Sequence, residues 1–253
     1  MAISKNRIKY IKSLHRKKFR QKYDNFILEG DKITRELLDA RDHEISGIYA
    51  LEEWLNAHPG ARQLGPDIVC VITPDELRQI STLTTPNQVL ATVQPPHFVF
   101  ASQWLQTNWT FYLDNIQDPG NMGTILRIAD WFGLEWICGS SGCVEVYNPK
   151  VVQASMGAVL RVKYAELDLS LLKKELAGLP VLGASMEGEN IFQSPIEKKG
   201  LIVIGNEGQG ISEAVKPFIT SYIAIPRSPK GGAESLNAGV SAGIIAAVME
   251  NHN

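Results

Sequence analysis

Cysteine is scarce in this chain, with three in 253 residues: Cys70, Cys138 and Cys143. Three thiols cannot build a disulfide framework, and Cys-x4-Cys without a second pair is no zinc site. They read as small buried hydrophobes in a reducing compartment. Histidine is thin as well, at five residues: His15, His43, His58, His97 and His252. Beyond residue 97 only His252 remains, at the end of the sequence. That disfavours a Ser-His-Asp triad, a His-rich metal site and histidine acid–base catalysis in the second half. No GxGxxG dinucleotide fingerprint and no GxxxxGK[ST] phosphate loop occurs. The longest weakly polar run, 238–249, is too short to span a bilayer, and the charged N-terminus lacks the apolar core of a signal peptide. These absences lead to the expectation of a cytoplasmic protein with no membrane partner and no metal.

What is present is an ordinary globular composition, 44% hydrophobic and 21% charged. The net charge of −2 hides an asymmetry. Nine of the 25 Lys and Arg fall in residues 1–22, where there is no acid, leaving 16 bases against 27 acids and a net −11 for the rest. A basic arm on an acidic body suits phosphate. A solvated helix that aids solubility is the alternative.

The arm places Ile3, Ile8, Ile11, Leu14 and Phe19 at helical spacing, predicting a helix over 3–19. Strands follow at 26–30, 45–51, 67–72 and 89–94, with helices between them. One of these opens with Thr73 as N-cap, Pro74 at the first position and Glu76 three residues after the cap. This is a small α/β domain, residues 1–98. Pro95-Pro96 punctuates the chain, a helix is predicted over 100–109, and the linker falls at about 95–108. A second α/β domain, 108–253, has candidate strands at 110–116, 135–139, 161–167, 180–185, 200–205 and 221–226. Helices are expected at 122–132, 148–159, 168–177, 211–218 and 235–250. Short apolar strands joined by helices imply a parallel sheet covered on both faces.

Three strand ends carry the chemistry. In DNIQDPGNMGTILRIAD (114–130), Gly120 and Gly123 allow a sharp turn, and the helix that follows offers free N–H groups to an anion. Arg127 lies off its apolar stripe, either projecting from the top of the sheet or paired on the surface with Asp130. Gly-Asn-Met-Gly also matches the GXXG loop of a KH domain, but a strand precedes it where KH needs a helix. In LIVIGNEGQG (201–210), glycines permit close backbone approach to a ligand, or merely a tight strand-to-helix turn. In IPRSPKGGAESLN (225–237), a basic glycine-rich loop opens a helix rich in Ala, Gly and Ser. With histidine gone, the chemistry falls to Arg127, Asn115, Glu207, Ser235 and Asn237.

In this order the three segments resemble the SpoU/TrmH family of RNA ribose 2′-O-methyltransferases, within the SPOUT class. The residues carrying the resemblance are Asn115, Pro119-Gly120-Asn121, Gly123 and Arg127, then Gly205, Glu207, Gly208 and Gly210, then Ile225-Pro226 and Ser235-Leu236-Asn237. The run 154–158 also looks like the family's mid-domain segment, and FILEGDKITRELL (26–38) resembles its L30e-like substrate-binding domain. The loop between Ile225 and Ser235 is longer and more basic than is common in the family, and Ala238-Gly239 replaces a more usual Val-Ser.

The resemblance implies a parallel SPOUT sheet with a C-terminal trefoil knot and a homodimer sharing its active site. S-adenosyl-L-methionine would be held at Gly205, Asn206, Gly208, Ile225, Leu236 and Ser185. Arg127 would activate the ribose hydroxyl, Asn115, Ser235 and Asn237 would orient it, and Glu207 would fix the pocket. The arm, through Lys12, Arg16, Lys17, Lys18 and Arg20, would grip RNA, with 23S ribosomal RNA favoured over transfer RNA. The rival from another class is a non-catalytic knotted RNA-binding protein.

Overall fold

The computed structural model describes residues 3–40 and 43–251; His252 lies outside them. Two compact units form, one of Met1–His97 with Tyr147–Leu160, the other of Phe98–Val146 with Arg161–Asn253.

The first unit begins with α1 (Lys5–Ser13) and α2 (Lys17–Tyr23). The single helix expected over 3–19 is broken because tertiary contacts claim Leu14. Its side chain is buried, and its carbonyl accepts Arg20 Nη1–H at 2.8 Å instead of a helical N–H. Then come β1 (Phe26–Glu29), α3 (Asp31–Asp39), β2 (Glu44–Ala50), α4 (Glu52–Ala57), α5 (Pro59–Arg62), β3 (Val69–Val71), α6 (Pro74–Ile80) and β4 (Val89–Gln94). The strands order as β1-β4-β2-β3, antiparallel except for the β2–β3 pair. Thr73 and Glu76 close a reciprocal capping box on α6. Ile11 and Leu14 pack with Ile27, Tyr49, Leu77, Ile80 and Leu90, so α1 and its C-cap are part of a core, while α2 is held through Arg20.

The second unit contains β5 (Trp109–Leu113), α7 (Pro119–Trp131) and β6 (Trp136–Gly139). The chain then supplies α8 (Pro149–Ser155) to the first unit, where the rings of Tyr147 and Phe26 lie 4.4 Å apart. It continues with β7 (Lys163–Glu166), β8 (Val181–Asn190), β9 (Gly200–Ile204), β10 (Ser221–Ala224) and α9 (Ala238–Asn251). All six strands pair in parallel in the order β10-β8-β9-β5-β6-β7. Strands β5, β6 and β9 are buried along their whole length, as a sheet covered on both faces requires.

Several expected helices are shorter or absent. Residues 211–218 give one turn and a 3-10 segment at Lys216–Phe218. The Asp114 carboxylate takes the Ser212 N–H, and Pro217 has no N–H with which to continue. Residues 168–177 form a 3-10 turn at Leu169–Leu172, opened by the Asp168 side chain on Ser170 N–H. The linker segment is likewise 3-10, at Ser102–Gln106. Helix α9 starts at Ala238, three residues later than expected, because Asn237 caps it with its own side chain.

Candidate active site

Strand β5 sits between β9 and β6, so the chain leaves the carboxyl ends of β5 and β9 in opposite directions. Ligands of open α/β sheets bind in the crevice such a reversal opens. Here Leu113 pairs with Ile204, and Asp114 N–H donates to the Ile204 carbonyl at 2.8 Å. The next residues of both strands therefore emerge side by side, DNIQDPGN from β5 and GNEGQG from β9.

The buried Asp114 carboxylate ties the two turns together. It accepts Ser212 N–H at 2.6 Å and Asn115 Nδ2–H at 3.0 Å. Asn115 adopts φ +57°, and its carbonyl accepts Asn206 Nδ2–H at 2.9 Å. The Asn206 side-chain oxygen in turn takes the N–H groups of Gly208 and Gln209. Asn206 and Gly210 exchange backbone hydrogen bonds across the turn. Gly205 makes this compact: a Cβ there would stand 2.4 Å from the Gly210 carbonyl carbon. Close approach of backbone to backbone is what excludes any side chain.

From the next layer a chain of amides crosses all three segments. Asn121, in the first turn of α7, donates through Nδ2 to the Glu207 carboxylate. Its oxygen accepts Asn237 Nδ2–H at 2.7 Å, and the Asn237 oxygen takes the N–H groups of Gly239 and Val240 at 3.0 and 3.2 Å. Each amide is polarised in one direction, from the N-terminus of α9 to the carboxylate. Helix α9 can lie this close to α7 because Gly239 faces Thr124, where a Cβ would come within 2.8 Å of the Thr124 methyl. Asn121 belongs to the Pro-Gly-Asn motif, yet sequence reasoning gave it no role. Nothing short of the fold shows that Glu207 and Asn237, 30 residues apart, share it as partner.

Beside these turns lies a cleft of about 1170 Å³. Its wall includes Ser185, Gly205, Asn206, Glu207, Ile225, Ser235 and Leu236, together with apolar Ile204, Ile211, Ile223 and Ile245. Ser185 reaches the wall because β8 leaves register with β10 between the Gly183–Tyr222 and Glu189–Ile223 pairs, and the excursion carries residues 184–187 to the cleft. Gly208, Asn115, Arg127 and Asn237 are not on the wall. Gly208 and Asn115 brace the turns, and Asn237 caps α9.

Arg127 is exposed on α7 and makes no hydrogen bond or ion pair among the described residues. The alternative of a pair with Asp130 is overturned: Arg161 grips both oxygens of Asp130 at 2.8 Å. In the first unit Lys12, Arg16, Lys17 and Lys18 are exposed. Arg20 departs from the phosphate-gripping reading, being 4% exposed with its guanidinium on the Leu14 carbonyl. The cysteines are free, and burial pushes all three thiols above their ordinary value, as expected of hydrophobes rather than nucleophiles. Among the described residues no helix is long and apolar enough to cross a membrane, and no His, Cys, Asp or Glu cluster would hold a metal.

Comparison with known proteins matches residues 108–247 to the SpoU rRNA Methylase family and residues 5–91 to an MRM3-like substrate binding domain. A Bacillus subtilis 23S rRNA (guanosine(2553)-2′-O)-methyltransferase is 28% identical over 245 residues, 94% of either chain. A solved structure from Porphyromonas gingivalis, assigned to the TrmH family of RNA methyltransferases, is 34% identical with a TM-score of 0.84, covering 98% of both chains. An AdoMet-bound rRNA methyltransferase from Sinorhizobium meliloti shares the fold, with a TM-score of 0.87 at 21% identity over 100% of this chain and 98% of that one.

Proposed function

The chain belongs to the SpoU rRNA Methylase family, and from that premise we propose that it transfers a methyl group from S-adenosylmethionine to a ribose 2′-OH of ribosomal RNA. The observation that carries the reading is the convergence of all three sequence segments on one hydrogen-bonded network beside the cleft, joined through Asn121.

The residues present fit the cofactor. The cleft is large enough for a nucleoside joined to an amino acid, and glycine at 205 keeps its floor free of side chain. Apolar isoleucines face polar backbone and the hydroxyls of Ser185 and Ser235, a lining suited to an adenine and a ribose. Gly205, Asn206, Ile225, Leu236 and Ser185 would hold it, while Gly208 acts from behind by bracing Asn206. When bound, the cofactor supplies an electrophilic sulfonium methyl group.

The chain must hold the ribose in line and stabilise the oxygen as its proton departs. Arg127 is suited to that work: a guanidinium is cationic at any relevant pH, and among the described residues no carboxylate pairs with this one. A planar donor fork binds a phosphate bidentately and stabilises developing alkoxide charge; it does not act as a base. Proton loss to the neighbouring phosphate or to solvent accompanies transfer. Glu207 and Asn237, held through Asn121, set the pocket geometry.

In the first unit, exposed Lys12, Arg16, Lys17 and Lys18 grip the RNA backbone. A second copy of the chain covers Trp131, 84% exposed on α7, and Val240, 50% exposed on α9, giving a homodimer. The C-terminal segment forms a trefoil knot, one of the rare exceptions to unthreaded topology, and the protein works in the cytoplasm. The test is incubation of the whole chain with labelled S-adenosylmethionine and unmodified ribosomal or transfer RNA. A methylated 2′-OH cannot attack its phosphate, so label retained in alkali-resistant dinucleotides from ribosomal RNA is the expected result. Label only in transfer RNA would move the substrate, and cofactor binding with no transfer to either would sink the enzymatic reading.

A further inference from the structure

The two helices of the arm carry more than charge. Phe19 and Tyr23 stand one turn apart on α2, their rings stacked with centroids 6.2 Å apart and planes 14° apart. Tyr10 of α1 meets Tyr23 edge-on at 5.2 Å. The Arg16 guanidinium lies 5.3 Å from the Phe19 ring centroid and the Lys22 ammonium 5.2 Å from that of Tyr23. This cluster is braced from behind. Tyr10 is half-buried, its hydroxyl pushed up to about 12 mainly by burial. Arg20 staples α2 to the Leu14 carbonyl, and Ile11 and Leu14 sit in the core. Even so, Tyr23 remains 40% exposed. Residues 1–22 contain no acid, and the carboxylate that follows, Asp24, is engaged by Gln94 and His97 at 3.2 Å. The surface therefore offers rigid aromatic faces inside a ring of cations.

We infer that Phe19 and Tyr23 form a stacking platform for an unpaired RNA base, with Arg16, Lys17, Lys18 and Lys22 taking the flanking phosphates. The inference deepens the RNA reading above and rests on it. Long flexible cations parked over the rings are displaced at little cost and are then correctly placed for phosphate. A base inside a duplex has both faces occupied by its neighbours, so only a nucleotide in a loop, bulge or single strand can stack here. The arm thus selects RNA presenting an unpaired base, whereas a purely basic helix would hold any duplex.

The experiment uses the full chain and two RNA probes of equal phosphate number, a hairpin with an unpaired loop and a blunt duplex. Tyr23→Leu keeps apolar bulk and loses the π face; Tyr23→Phe keeps it. Tyr23→Leu should weaken hairpin binding roughly 5- to 150-fold, the range for losing one base–aromatic stack. It should leave duplex affinity and the salt dependence unchanged, and Tyr23→Phe should bind as the unaltered chain does. Equal loss on both probes, or loss on neither, overturns the platform. Ultraviolet crosslinking of the unaltered chain to a bromouridine-substituted loop needs no variant: adducts on Phe19 or Tyr23 support the inference, and adducts only elsewhere overturn it. If the unaltered chain binds neither probe, the RNA reading itself fails. If it binds both equally while methyl transfer persists, only the platform fails.

Discussion

Replacing Asn121 with Asp is the sharpest probe of the amide chain, because it exchanges one heavy atom, Nδ2 for oxygen, and turns one hydrogen bond into a repulsion. The oxygen that receives Asn237 Nδ2–H at 2.7 Å is retained, while the donor to Glu207 becomes a second carboxylate facing the first. A hydrogen bond to a charged acceptor contributes about 1.5–3 kcal/mol, and exposure of Glu207 places this one near the lower end. Two unit charges about 4 Å apart repel by up to about 4 kcal/mol at an effective dielectric constant of 20, which solvent at Glu207 screens to roughly 1 kcal/mol. Together these displace Glu207 at a cost of about 2–3 kcal/mol, or roughly 30- to 150-fold in kcat/KM for methyl transfer, by the rule that 1.36 kcal/mol is tenfold. Two neighbouring carboxylates resist joint ionisation, so the pair takes up a proton more readily than either group alone. That proton restores a donor between residues 121 and 207. The variant should therefore recover relative to the unaltered enzyme as pH falls from mildly basic to mildly acid. Asn121 does not line the cleft but Glu207 does, so cofactor affinity by calorimetry should weaken along with kcat/KM and recover with it as pH falls. Full activity at every pH would refute the chain of amides as a working part of the site. A pH-independent loss with weakened cofactor binding would show simple misfolding.

Gly205→Ala places a methyl group 2.4 Å from the Gly210 carbonyl carbon; a destabilisation of about 1–3 kcal/mol and loss of cofactor affinity are expected from thermal melting and calorimetry. Changing Lys12, Lys17 and Lys18 together to Gln should weaken RNA binding and lower the salt slope by up to about 3, one for each phosphate no longer neutralised; an unaltered slope would place the phosphate grip elsewhere. Burial raises the Glu29 carboxyl above its ordinary 4.5 despite donors from Ser81 and Thr82. A carboxyl raised on folding binds its proton more tightly in the folded chain, so stability is lost as pH rises from 4.5 through the raised value. Glu29→Gln removes that loss, and urea titrations should show the variant gaining on the parent toward neutral pH; parallel curves would refute the assignment.

The parallel sheet was readable because β5, β6 and β9 are short apolar runs bounded by turn residues, and the capping box of α6 because Thr73 and Glu76 carry it locally. Leu14 was not readable as a helix breaker: its partner Arg20 had every sequence reason to be a surface cation. The missing helix at 211–218 depends on Asp114, nearly a hundred residues away, claiming the Ser212 N–H. Recruitment of Tyr147–Leu160 into the first unit is equally non-local. The site's residue types were legible from three glycine-rich strand ends, but their division of labour was not. Asn115 braces a turn, Gly208 closes one, and Asn121 joins the segments, all through hydrogen bonds that composition and spacing do not encode.

Ribose methylation assisted by Arg127 is tested by comparing the unaltered chain with Arg127→Ala and Arg127→Lys. Each is given labelled S-adenosylmethionine and unmodified ribosomal RNA, and the product is digested to nucleosides. Label is expected in a 2′-O-methylnucleoside. Loss of an electrostatic stabiliser should lower its rate about 10²- to 10³-fold in Arg127→Ala, with only partial recovery in Arg127→Lys, since an ammonium lacks the planar fork. Label on a base, or full activity in Arg127→Lys, would contradict ribose methylation assisted by Arg127.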